Sequence, residues 1–117
     1  MENKNEKLKI NDVVIGEGNL DGKGIYANRS FQKGEVVIQY NLKPLTKEEC
    51  KNLPESEKMF THTHGGKIYL YSEPERYVNH SDQPNTYQDL EKQQDIALKD
   101  IREGEMITTN ATKDDVL

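Results

Sequence analysis

Asn79, His80 and Ser81 place three hydrogen-bonding side chains side by side, directly after the apolar-leaning pair Tyr77-Val78 and just ahead of a Pro84-Asn85 turn. A short strand that ends in such a cluster and then bends can deliver polar groups to a pocket wall. Taken alone, the stretch from Glu75 to Asn85 also fits one satisfied histidine and two asparagines that shape a turn. A second stretch, Gly22-Lys23-Gly24, precedes Ile25-Tyr26-Ala27. Its glycines let the backbone bend and let a ligand approach the amides, although a plain hairpin turn with an exposed lysine has the same composition. It is not a dinucleotide fingerprint, because the third glycine and the following helix are missing. His62 and His64 have the spacing of metal ligands on an extended segment, but no acidic or cysteine ligand is near them in sequence. Gly65-Gly66 then leads into Lys67-Ile68-Tyr69-Leu70-Tyr71, so a hairpin is expected here and no metal.

The elements that must carry these residues are short. Val13-Val14-Ile15 reads as a first strand bounded by Gly16 and Gly18, and Val36-Val37-Ile38-Gln39-Tyr40 is the clearest strand in the chain. Thr46-Lys47-Glu48-Glu49 fits a capping box, which predicts a helix from there to about Leu53, stopped by Pro54, with a further turn over Glu55 to Lys58. Thr86-Tyr87 and Ile96-Ala97-Leu98 read as two strands joined by a polar connection, and Met106-Ile107-Thr108-Thr109 as a last one. No internal repeat is expected. The pattern is a mostly β domain over residues 10–111, with a flexible arm at 1–9 and an acidic tail at 112–117.

At 117 residues the chain has room for one domain, and hydrophobic residues match charged ones at 32% each, so the core must be thin. A net charge of −5 disfavours nucleic acid or an anionic membrane as the main partner and suits a basic polypeptide. Cys50 is the single cysteine, which excludes an intramolecular disulfide. With no apolar run of signal-peptide or membrane-span length, a cytoplasmic location is expected.

In order, the pieces resemble the SET domain family of S-adenosylmethionine-dependent protein lysine methyltransferases. Gly22-Lys23-Gly24-Ile25-Tyr26-Ala27 is similar to that family's Gly-x-Gly motif, and Ser30 to Tyr40 to the turn and strand after it. Arg76-Tyr77-Val78-Asn79-His80-Ser81 with Pro84-Asn85 resembles its Arg-aromatic-aliphatic-Asn-His-Ser signature, and Asp95 to Thr108 its closing block. The resemblance implies several small curved sheets around a C-terminal pseudoknot, with one or two short helices. It also implies S-adenosylmethionine as cofactor, bound by Gly22, Lys23, Gly24, Arg76, Asn79 and His80. Tyr40 is the candidate for the lysine channel on the same grounds, and a lysine-bearing, basic protein is the implied substrate.

Methyl transfer to an amine needs a neutral nitrogen held in line with the sulfonium carbon. A lysine of pKa about 10.4 lies some three units above neutral pH, or roughly 4 kcal/mol from the reactive form. A dry aromatic channel and a nearby cation offset part of that. The family closes with a tyrosine that helps orient the amine, and here the chain departs: Gly104-Glu105-Met106-Ile107-Thr108-Thr109-Asn110-Ala111 puts Ala111 at that place. Tyr87 is the substitute hydroxyl the sequence offers, if its face of the strand and not that of Gln88 meets the channel. The alternative is a SET-like module that binds cofactor or basic peptide without turnover.

Overall fold

The computed structural model describes residues 11–110; the expected arm, position 111 and the acidic tail lie outside the described residues. The strands are β1 (Val13–Leu20), β2 (Lys23–Ala27), β3 (Val36–Gln39), β4 (Lys43–Leu45), β5 (Thr61–His64), β6 (Lys67–Leu70), β7 (Asn79–His80), β8 (Thr86–Asp89), β9 (Gln94–Ala97) and β10 (Met106–Thr109). Among the described residues two short helices, α1 (Lys47–Lys51) and α2 (Glu55–Lys58), and a 3-10 turn over Glu75–Tyr77 complete the order. The strands form three small sheets, β1-β2-β10-β7, β3-β9-β8 and β4-β6-β5, which is the mostly β architecture the sequence predicts. No helix among the described residues is long and apolar enough to cross a membrane.

Local chemistry accounts for most of the boundaries. The Thr46 side chain accepts from the Glu49 amide at 3.0 Å while the Glu49 carboxylate accepts from the Thr46 amide at 2.9 Å, the reciprocal capping box. α1 ends at Lys51, short of the expected Leu53, because the residue before Pro54 is pushed out of the helical region. The connection between β8 and β9 is shorter than its polar composition suggests, since Gln88 and Asp89 pair with Asp95 and Gln94 and extend both strands. Ahead of Asn79 the expected strand is a 3-10 turn, and pairing is confined to Asn79 and His80.

The expectation of no internal repeat is corrected. Ile25 to Ile38 and Asp95 to Thr108 share the pattern apolar-x-x-Gly-Glu-apolar after an alanine, and the structure uses both alike. Phe31 and Ile101 exchange backbone hydrogen bonds of 2.8 and 2.9 Å, and each is nearly fully buried. The Gly34 amide donates to Ala97 at 2.9 Å and the Gly104 amide to Ala27 at 2.8 Å, so each turn is held by the strand of the other half. Both glycines sit at φ 93°, a region that a side chain makes costly. Around this pair Ile25, Ile38, Ile101 and Ile107 form the centre of the core, each worth about 1.5–3 kcal/mol of burial.

β10 is inserted between β2, its antiparallel neighbour, and β7, its parallel one. The segment after β7 is then tied across it: the Ser81 amide donates to the Thr109 carbonyl at 2.9 Å, and the Asn85 side chain donates to the Met106 carbonyl at 2.9 Å and accepts from the Thr108 amide at 2.8 Å. The C-terminal strand therefore runs beneath an earlier loop, the crossing that the resemblance implies.

Candidate functional site

Asn79 joins the two stretches that the sequence singles out. Its Oδ1 accepts from the Asn19 amide at 2.7 Å, and its Nδ2 donates to the Lys23 carbonyl at 3.0 Å and to the Tyr77 carbonyl at 2.9 Å. A 3% exposed amide whose acceptor and both donors are engaged is a rigid brace, and it fastens the β1–β2 hairpin to β7. Gly24 is part of the same junction. A Cβ there would lie 2.9 Å from the Glu17 carbonyl oxygen, 2.9 Å from the Met106 methyl and 3.4 Å from Asn79 Nδ2, so the chain's own crossing fills the space that the sequence reading leaves for a ligand. Gly22 is different, with nothing within 4 Å of the corresponding position, and its bend is open to an incoming group. The Lys23 ammonium lies 3.8 Å from Asp21 and 5.3 Å from the centre of the Tyr77 ring.

Beside this junction is a cavity of about 140 Å³. Leu20 of β1, Val78, and His80 and Thr109 of the β7–β10 pair form one side. Phe60, His62 and Tyr71 form an aromatic side, with the His62 and Tyr71 rings 4.4 Å apart, and Gln88 and Glu75 supply polar wall. The exposed Met59 stands at its edge.

Arg76 borders the cavity but is committed to the protein. Its guanidinium makes two hydrogen bonds to the Glu57 carboxylate, at 2.9 and 3.2 Å, donates from Nε to the Tyr71 carbonyl at 2.9 Å and lies 4.5 Å from the Phe60 ring centre. These hydrogen bonds hold the Glu57 carboxyl below the usual range. Arg76 thus sets the aromatic wall in place. His80, exposed at the cavity rim, pairs with Asp82 at 3.1 Å.

The two tyrosines take different positions from those the chemistry asks of them. Tyr40 is one layer behind the wall, its ring 5.5 Å from that of Tyr71 and its hydroxyl donated to the fully buried Asp95 carboxylate. Burial and that carboxylate push its pKa far above the ordinary tyrosine value. Tyr87 stands opposite Ile96 and is 41% exposed, while Gln88, opposite Asp95, reaches the cavity. Strand alternation decides between these two neighbours in favour of the amide.

Glu75 is the wall residue that the sequence reading passes over. It is 4% exposed; Oε2 accepts from the Asn41 amide at 2.8 Å and the Ser72 amide at 3.1 Å, and Oε1 has no partner among the described residues. Burial raises its pKa against the pull of the backbone donors. Next to Arg76, a glutamate reads as half of a surface ion pair, so nothing local signals its depth. Tyr71 and Phe60 belong to apolar-leaning stretches, and only the fold turns them toward one space.

The SET domain family model matches residues 22–110. The chain belongs to the SET domain family. Its fold is similar to that of a Plasmodium falciparum protein named as a histone methyltransferase, with a TM-score of 0.65 at 19% identity, covering 86% of this chain and 92% of that one. It is also similar to part of the Chaetomium thermophilum polycomb repressive complex 2. The autoinhibited form bound to S-adenosylmethionine gives a TM-score of 0.68 at 23% identity over 92% of this chain. The apo autoinhibited form gives 0.70 at 20% identity over 98%. This chain spans 16% and 19% of those two chains. At such identities the likeness establishes the fold. No curated protein sequence matches the chain.

The residues present fit the cationic end of S-adenosylmethionine. A cavity of about 140 Å³ is below the roughly 300 Å³ of a site that encloses a drug-sized ligand, so it takes a side-chain-sized group and the adenosyl part would rest outside it. An aromatic wall suits a positive group, and the open bend at Gly22 leaves backbone accessible.

Proposed function

We propose that the chain transfers a methyl group from S-adenosylmethionine to a lysine side chain of a basic protein, in the cytoplasm. The observation that carries this reading is the Asn79 brace, which brings the Gly22-Lys23-Gly24 bend and the Asn79-His80 pair to one junction beside an aromatic cavity. Bound there, the cofactor supplies an activated methyl group. Gly22, Lys23 and His80 would hold it on the frame that Asn79 braces, Arg76 would keep Phe60 and Tyr71 in place, and the aromatic wall would exclude water from the amine. Tyr40, anchored on Asp95, would fix the Tyr71 ring. The net charge of −5 supports a basic partner. Incubation with methyl-labelled S-adenosylmethionine and lysine-rich polypeptides tests the proposal; label on lysine is expected, and none at saturating cofactor would refute it.

A second reading, a module that binds without turnover, is favoured by one set of observations. Ala111 stands where the family has a tyrosine, Tyr87 faces solvent, and the Tyr40 hydroxyl is held by Asp95. Ala111→Tyr separates the two. A positioned hydroxyl is worth about 10²- to 10⁴-fold in rate, so the variant is expected to be faster by about 10²-fold. Transfer seen in the variant and not in the parent would establish the second reading.

A further inference from the structure

β1 has an edge that the rest of the molecule does not use. It is the outer strand of β1-β2-β10-β7 and pairs with β2 alone. Ala27 exchanges its backbone bonds with Glu105 and Gly104, toward β10, so its neighbour Tyr26 turns toward β1 and makes the bonded pair with Val14. By the same alternation Gly16 points inward, and Val13, Ile15 and Glu17 turn their amides and carbonyls away from the sheet. One of these carbonyls is capped. The Tyr26 ring crosses Gly16, where a Cβ would lie 2.7 Å from it, and its hydroxyl donates to the Glu17 carbonyl at 2.7 Å. Val13 and Ile15 carry no such cap among the described residues. Their neighbourhood is uncovered as well: Val14 and Ile15 lie on opposite faces of the strand and are 45% and 42% exposed, although Ile15 sits beside the fully buried Ile25. A free edge with apolar residues on both faces is a template for another strand.

We infer that this edge is where two copies of the chain join, β1 against β1 in antiparallel order, with Val14 facing Val14 across a two-fold axis. The strand itself selects this occupant and this register. Its uncapped outward residues are Val13 and Ile15, and a register centred between them sets Val13 of each copy opposite Ile15 of the other, where each such pair exchanges both its bonds. Centring on Ile15 instead would set Val13 against the capped Glu17. The acids fall in neutral company: Asp12, already bound to Arg29, comes opposite Gly16, and Glu17 opposite Asn11, so two chains of net charge −5 meet without a carboxylate facing a carboxylate. The joint fuses two four-stranded sheets into one. Leu20, which lines the cavity, lies six residues beyond Val14, about 20 Å along the strand. Antiparallel pairing sends the two Leu20 ends in opposite directions, and both cavities stay open.

The test is sedimentation of the whole chain over a concentration series, with a pair of variants at exposed positions. Ile15→Pro removes an outward amide and no bond of the β1–β2 pair. Val14→Lys sets a charge against its own copy. A dimer is expected in the parent, and each variant should raise its dissociation constant by about tenfold or more. A parent that stays monomeric at every concentration overturns the inference and leaves the edge to a strand of another protein. A dimer that either folded variant leaves unchanged overturns it too, and places the contact on another face. Should the variants fail to fold, single cysteines in a Cys50→Ser background replace them. Directly opposed Cβ atoms in such a pair lie within about 5.5 Å, so Val14→Cys should close a disulfide between copies on mild oxidation and Glu17→Cys should not. Equal cross-linking at the two positions overturns the inference.

Discussion

The segments Ile25 to Ile38 and Asp95 to Thr108 are two versions of one device, and they differ at the positions that matter for chemistry. Each has an alanine that pairs with the other's turn, a buried apolar residue four positions later, a glycine at φ 93°, and a strand that returns to the core. At the start of the first, Ile25 is an apolar core residue; at the equivalent place in the second, Asp95 is a carboxylate, equally buried. Two residues past the end of the first, Tyr40 gives its hydroxyl to that Asp95; the corresponding place after the second is Asn110, with Ala111 next in sequence. The frame is held by apolar burial and backbone pairing, which tolerate these substitutions. Function depends on which side chains the frame carries, and only one half carries a tyrosine bound to a buried acid.

If the two turns are equivalent in the frame, Phe31→Ala and Ile101→Ala should each cost about 3–5 and 2–5 kcal/mol respectively in urea denaturation, since both leave cavities at the same contact. A loss confined to one of them would break the equivalence. Tyr40→Phe probes the difference between the halves. It takes the hydroxyl away from a fully buried carboxylate, and a cost of about 1–3 kcal/mol or more is expected, where removing an exposed hydroxyl such as that of Tyr87 costs almost nothing. A neutral Tyr40→Phe would mean that Asp95 does not depend on it.

Gly34→Ala and Gly104→Ala should each cost about 1–2 kcal/mol, because both backbones are in the left-handed region and a Cβ there meets open space, so strain alone is measured. Unequal losses would show that one turn is held more tightly than the other. The smallest effect concerns Glu75, which lies outside both halves. Its pKa is raised by burial, so the folded chain holds this proton at pH values where the unfolded chain has released it. Its contribution to stability is therefore full below the ordinary glutamate pKa of about 4.3 and falls as pH rises through the higher folded value. Glu75→Gln should flatten that part of the stability profile, and an unchanged slope would place the titration elsewhere.

Much of this was legible in the residues. The capping box at Thr46, the Gly65-Gly66 hairpin and the strand at Val36 are local events, governed by backbone conformation and nearby hydrogen bonds. The motif order gave the family. The Gly-Glu between apolar positions at Gly34 and Gly104 does not announce a repeat by itself; its meaning comes from Phe31 bonding to Ile101 across the fold. Tyr87 and Gln88 show the limit: alternation says that they face opposite ways, and which way is set by the pairing of β8 with β9 against the rest of the molecule.

Sequence by itself determined most of the element types and the order of the motifs that meet at Asn79, because short-range sterics and hydrogen-bond valence act through neighbours along the chain. Only the tertiary structure decided that Gly24 is filled by Glu17 and Met106, that Tyr40 lies behind Tyr71, and that Glu75 is buried. Burial is a property of what packs on a residue from distant parts of the chain, and no pattern of neighbours along the sequence records it.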